Sequence, residues 1–294
     1  MNEQISILES MRKKALHGRI AVGAVIIGGF LFAVVTRNLF LIFPAVIAGI
    51  VVYVLFARKS TKEYKDYYKN VFVRQMIQNV IPGAIYEPAQ GFPRQMISAT
   101  GLMQMGNVYH SEDYIKGVYN GVEFERADML IQNETTDSEG NTSTTTYLRG
   151  RWMVFESNKT FSADLQIIQK GFGYANKRKG WFTRKENRRH EIKTEDESFN
   201  KQFQSLCQDD VEAFYLLTPG VMQAMMRLAA SMDGKVMIGF VDNRIHVAVN
   251  SSKDSLEAPV TRSFRNSDFE DVTREINAIT TFVENLNLDR KIFQ

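Results

Sequence analysis

The stretch AVVTRNLFLIF, Ala33 to Phe43, decides how the chain folds. It interrupts an apolar run from Ile20 to Ala57 with only Thr36, Arg37 and Asn38. As one helix, the 38-residue run would be about 57 Å long, nearly twice a bilayer core of about 30 Å. Arg37 would then sit near mid-membrane, at about 2.5–3.5 kcal/mol. Divided at Thr36–Asn38, the run becomes Ile20–Thr36 and Leu39–Ala57, of 17 and 19 residues, each about one span. They carry ten and thirteen Ile, Val, Leu or Phe residues. At about −0.3 to −0.6 kcal/mol apiece, insertion is favoured by roughly −3 to −8 kcal/mol. The expectation is a transmembrane hairpin.

The flanks orient it. Arg12, Lys13, Lys14 and Arg19 precede the first span, Arg37 alone lies between, and Arg58, Lys59, Lys62, Lys65, Lys69 and Arg74 follow. Basic residues stay on the cytoplasmic side, so a multi-pass protein of the inner or plasma membrane with both termini cytoplasmic is expected. A cleaved signal peptide is the rival reading. It fails because no small-x-small site follows the first run and a second span comes at once. The spans hold no Asp, Glu, Lys or His, so nothing marks an ion path. Ala24-x-x-x-Gly28 and Ala45-x-x-x-Gly49 are small-xxx-small pairs that let backbones approach. Gly28 and Gly49 lie at one depth and are expected to face each other. Oligomerisation through the same residues is the alternative.

The remaining chain has ordinary globular composition, long enough for one large domain or two small ones. Residues 1–19 show helical spacing at Ile5, Leu8, Arg12 and Ala15, with Ser6-x-x-Glu9 as a capping box. Residues 58–82 form an amphipathic stalk with Tyr64, Tyr68, Phe72, Met76 and Val80 on one face, ended by Pro82-Gly83. Residues 83–294 are expected to make a cytoplasmic mixed α+β domain, with a candidate sub-domain boundary at 171–190. Tyr114–Tyr119 and Val122–Ile131 flank Asn120-Gly121, a strong hairpin signal. A polar tip, NETTDSEGNTSTT, then reads as a loop, and TYLRGRWMVFES and ADLQIIQ complete a four-stranded meander. Thr218-Pro219 opens a helix running to about Met232. KVMIGF and RIHVAV form a hairpin about Asp242-Asn243. Ser267-x-x-Glu270 caps a long helix whose Phe269, Val272, Ile276, Ile279, Val283 and Leu286 should pack on its own sheet.

Three blocks carry a resemblance: YLRGRWMVFESNKTFSADLQII (147–168), FYLLTPGVMQAMMRLAASMDGKVMIGFVDNRIHVAV (214–249) and TTFVENLNLDRKIF (280–293). The chain resembles the bacterial domain-of-unknown-function family three-one-three-seven, labelled galanin-like. That resemblance implies an integral membrane protein with a cytoplasmic α+β domain and supplies no catalytic residues.

The chemistry search is bare. Net charge is +3 and the single Cys207 excludes an internal disulfide. His17, His110, His190 and His246 lack a second His or Cys at metal-ligand spacing. In His110-Ser-Glu-Asp113 four adjacent residues cannot face one another as a triad does. Gly171-Phe-Gly173 lacks the third glycine of a dinucleotide loop. No catalytic, cofactor or metal residue is assigned, and the chain is not expected to be an enzyme. Between Lys177 and Arg189 stand seven Lys/Arg against one Glu, with Trp181 and Phe182. Lys177, Arg178, Lys179, Trp181, Phe182, Arg184, Lys185, Arg188 and Arg189 are expected to touch the anionic lipid surface; nucleic acid fits them less well. The resulting expectation is a membrane-anchored interaction or regulatory module with a protein partner and a homo-oligomer as candidate. A tethered enzyme with a non-local site and a small oligomeric transport or channel subunit are the alternatives.

Overall fold

In the computed structural model, residues 2–157, 160–176, 189–254 and 256–286 are described. The chain divides into two compact units. One comprises Met1–Met76 with Ser255–Thr273, the other Ile77–Asp254 with Arg274–Gln294.

In the first unit, α1 (Asn2–Val35) is one uninterrupted helix, so the 1–19 segment and the first span are continuous. Ser6 therefore lies inside a helix, not at its cap. Glu9 instead binds the Arg12 guanidinium at 2.6 and 2.8 Å. The turn falls at the polar triplet. Arg37 is left-handed (φ 54°), and the Asn38 side chain accepts from Phe40 N–H to start the next helix. α2 (Ile42–Val52), α3 (Arg58–Tyr67) and α4 (Arg74–Val80) follow, linked by π-helical turns at Tyr53–Ala57 and Tyr68–Val73. Gln4–Val35 and Leu39–Val80 are both long and apolar enough to cross a membrane. Leu31, Phe32, Phe40, Phe43, Ile47 and Phe56 are each more than half exposed, an apolar surface suited to lipid.

The hairpin seam differs from expectation. A Cβ added to Gly29 would stand 2.1 Å from Ala45 Cβ, and one on Gly49 would stand 2.6 Å from Ile26 Cγ1. One on Gly28 would meet nothing within 4 Å, and Ala24 is exposed. Gly28 and Gly49 thus do not face each other. Equal depth did not fix azimuth, since each residue turns a helix by about 100°. The seam runs through Gly18, Val22, Ile26 and Gly29, with Gly18 against Ala57.

The stalk face is a packing face, as its spacing predicts. Tyr64, Tyr68 and Phe72 are buried. Phe264 stands edge-on to Tyr68 and Phe72 (centroids 6.2 and 5.2 Å), and Phe269 edge-on to Phe72 at 4.8 Å. Tyr64 donates to Pro259 O (2.9 Å), Arg12 to Val260 O (3.2 Å), and Lys65 and Lys69 both pair with Glu257.

The second unit is built on one nine-stranded antiparallel sheet, ordered β1-β2-β3-β4-β9-β8-β5-β7-β6. The strands are β1 (Ile85–Glu87), β2 (Val108–Tyr119), β3 (Val122–Thr136), β4 (Thr142–Glu156), β5 (Leu165–Gln169), β6 (His190–Ile192), β7 (Phe203–Cys207), β8 (Lys235–Val241) and β9 (Arg244–Asn250). Both two-residue turns are as read: Asn120 (φ 49°) with Gly121 (φ 81°), and Asp242 (φ 55°) with Asn243. Two expectations are corrected. β5 does not complete a meander, because the β8–β9 hairpin is inserted beside β4 and separates them. No sub-domain boundary falls at 171–190, because strands from either side of it join this one sheet. The polar tip is also mostly strand: β3 and β4 stay paired out to Thr136↔Thr142.

Short helices α5 (Arg94–Ala99), α6 (Glu197–Gln202) and α7 (Asp210–Leu216) precede α8 (Pro219–Ser231). Thr218 caps α8 by accepting from Val221 N–H. α9 (Asn266–Asn285) packs on the sheet through its later turns, with Phe282 stacked on Phe155 at 4.3 Å. Ile276, Ile279, Phe282, Val283 and Leu286 are buried, roughly 8–15 kcal/mol of gross apolar transfer. The opposite face holds Ala127, Met129, Ile131, Trp152, Ala248 and Leu102.

Candidate functional site

A cleft of about 210 Å³ opens in the second unit where β9 ends. It is lined by His110 and Glu112 of β2, Asp128 to Leu130 of β3, Arg149 and Gly150 of β4, and Ser251–Asp254. Register explains the grouping. His110, Leu130 and Arg149 lie in one row across three strands, and Glu112, Asp128 and Arg151 in the next. Residues two apart on a strand share a face.

Beneath the cleft lies a buried ionic cluster. Arg126 binds Asp128 through both nitrogens (2.8 and 3.0 Å) and Glu275 at 2.9 Å. Arg151 Nε lies 2.8 Å from the same Glu275 oxygen. A bulge between Glu112 and Ile115 places Asp113 at φ 56° and turns it into the core, where Tyr86 donates to it at 2.5 Å. Three carboxyls, Asp113, Asp128 and Glu275, therefore face two guanidiniums. Unscreened surplus charge in a dry site raises a carboxyl's pKa. Asp128 is pushed up to about 8, chiefly by burial and further by Asp254, Glu275 and Asp113, against the pull of Arg126. It joins the cluster to the cleft and keeps 17% of its side chain exposed.

The singled-out residues fall as follows. In His110–Asp113 the four side chains are dispersed. Ser111 donates to Asp128 O (2.9 Å) and accepts from Phe92 N–H (3.0 Å), while His110 lies 3.5 Å from Glu112 on the cleft side. His246 is buried and accepts at Nδ1 from Trp152 Nε1–H (3.1 Å), so its proton is on Nε2. Burial, with Arg244 nearby, drops its pKa to about 4. Cys207 is buried and its thiol is pushed up by that burial. His190 pairs with Asp210 at 2.5 Å on the surface.

Arg189 is corrected. Its side chain is buried, bound to Asp164 at 2.8 Å and Gln166 at 3.0 Å, because it ties the sheet interior and is not turned to solvent. Lys177, Arg178, Lys179, Trp181, Phe182, Arg184, Lys185 and Arg188 lie outside the described residues. The cluster residues Arg126, Asp128, Arg151 and Glu275 escaped the sequence reading. Their signal was present: Phe124, Arg126, Asp128 and Leu130 share one face of β3, so two charges sit in an otherwise apolar row.

These features define a class: an α+β protein with an antiparallel sheet, a polar cleft and two span-length helices on the same chain. Residues 146–288 match the family model described as a protein of unknown function, DUF3137, the family the sequence resembles. The match takes in Arg149, Arg151, Ser251–Asp254 and Glu275 and begins after Arg126 and Asp128. No curated protein sequence matches. Among solved structures, the mycobacterial trehalose monomycolate transport factor A is similar at 11% identity and a TM-score of 0.37, over 72% of this chain and 93% of that one.

Proposed function

We propose that the chain is a membrane-anchored interaction module: the helical hairpin holds it in a bilayer, and the cleft-bearing sheet engages a protein partner on the cytoplasmic side. The observation that carries this is the pairing, on one chain, of two apolar helices with exposed Phe and Leu faces and a separately folded unit with a polar cleft. Ten basic residues flank the outer ends of the hairpin against Arg37 at its turn, which supports a cytoplasmic location for both termini. The segment 177–188 would add contact with anionic lipid, each basic residue contributing about 1 kcal/mol near the surface.

A tethered enzyme is the second reading, favoured by one observation: a carboxyl shifted to about 8 beside a cleft is a common mark of catalytic sites. Against it, Asp128 is held by both nitrogens of Arg126. The test places a photo-cross-linking residue at Arg149 in the full chain in its native membrane. A discrete protein adduct, lost when Lys253 is changed to Glu, supports the module; a cleft that gives no protein adduct overturns it.

A further inference from the structure

The long β3–β4 hairpin ends in an arm whose two edges are treated differently. On the β3 side the edge is closed. Asn107 donates to Glu134 O (2.7 Å) and accepts from Glu134 N–H (2.8 Å), standing in for a neighbouring strand. On the β4 side, β9 covers only Gly150–Glu156. Among the described residues no strand pairs with 142–148 on the side away from β3. Alternate N–H and C=O groups there are left to find partners.

Natural sheets usually blunt such an edge with lysine, proline or a bulge on the exposed strand. This one reads TSTTTYL, without charge or proline. Thr142, Ser143, Thr144 and Thr146 are exposed. β-branched Thr suits strands, and Thr–Thr cross-strand pairs are favourable.

We infer that this edge pairs with the same edge of a second copy, antiparallel and centred on Thr145, so that two sheets become one. The register follows from the two-fold: Thr145 opposes the partner's Thr145, Thr144 the partner's Thr146, and Thr142 the partner's Leu148. A two-fold contact of this kind is self-complementary and closes at two copies. Continuing it by one pair sets Asn141 opposite the partner's Arg149. The turn carrying Asp137 and Glu139 then comes beside Arg149 and Lys253 at the mouth of the cleft. Acidic turn meets basic cleft, and the same match is made twice. An unrelated extended peptide could fill the edge but has no such reciprocal charge match. This inference rests on reading the cleft as a place for a protein partner, and it names that partner as a second copy.

The test uses the full chain in lipid bilayers under mild oxidation, with the wild type, whose cysteine is buried, as control. Thr145→Cys is expected to give a covalent dimer as the main product, because directly opposed Cβ atoms come within disulfide reach. Thr142→Cys, which opposes a leucine, is not. Asn141→Cys and Arg149→Cys should cross-link when co-expressed and not singly. Thr145→Lys, which sets two like charges face to face, should convert the dimer to monomer by light scattering. A monomeric wild type, equal cross-linking at 142 and 145, or a dimer unaffected by Thr145→Lys would each overturn the inference. An Arg149 photo-adduct with a different protein would, in those cases, leave the module reading standing.

Discussion

Replacing Asp128 with Asn removes one ionisable group while keeping its size and an oxygen that accepts from Arg126. In the native fold this carboxyl is pushed from 3.8 up to about 8. Between these values the folded state holds a proton that the unfolded chain has released. Unfolding free energy changes with pH by 2.303RT times the protons bound unfolded minus those bound folded, here about −1.4 kcal/mol per unit. The raised acid therefore contributes its full stability below about pH 4 and loses it as pH rises through about 8. From about pH 5 to 7, wild type should lose up to about 2.7 kcal/mol relative to Asp128→Asn. The residual 17% exposure of the side chain makes that a ceiling, and about half of it is the expected result. The assay is urea unfolding in detergent at several pH values, followed by the fluorescence of buried Trp152. His246 titrates in both proteins and cancels. A difference that stays flat across this range, or grows in favour of wild type as pH rises, refutes the placement of the surplus proton on Asp128.

Glu275→Ala strips both Arg126 and Arg151 of their shared buried partner and should cost about 3–5 kcal/mol in the same unfolding assay; a loss under about 1 kcal/mol would remove the cluster from the list of stabilising features. Gly29→Leu should disturb the hairpin by about 1–3 kcal/mol through overpacking against Ala45, whereas Gly28→Leu, with open space around it, should leave thermal stability in detergent unchanged. His246→Gln should flatten the acid limb of the stability curve. The native imidazole, lowered to about 4, contributes stability above about pH 6.5 that is lost as pH falls toward 4, and an unchanged acid limb would contradict that.

Local, strongly patterned features were legible in advance. The polar break at Thr36–Asn38, the Asn120-Gly121 and Asp242-Asn243 turns, the Thr218-Pro219 helix start and the apolar stripe of the last helix all rest on neighbours in sequence. Long-range pairings were not. Nothing local shows that β9 rather than β5 lies beside β4, since both are short apolar strands and only the assembled sheet chooses between them. The hairpin seam failed for a geometric reason: Gly28 and Gly29 have the same composition value and differ by about 100° in direction. The buried cluster was half visible, as Arg126 and Asp128 in an apolar row. Its third member, Glu275, sits 147 positions beyond Asp128 on a helix whose polar residues look solvated by periodicity alone. Arg189 misled because a basic run invites a surface reading, and only the fold shows Gln166 and Asp164 waiting for its last member.

The central claim is the membrane hairpin with both ends on the cytoplasmic side, and cysteine accessibility tests it most directly. Asn38→Cys and Thr142→Cys are expressed separately in intact cells as full chains and treated with a membrane-impermeant maleimide. Cys207 is buried and serves as the unlabelled background. Labelling of Asn38→Cys in intact cells, with Thr142→Cys labelled only after lysis, is the result predicted. Labelling of Thr142→Cys from outside, or of neither position until lysis, would contradict it.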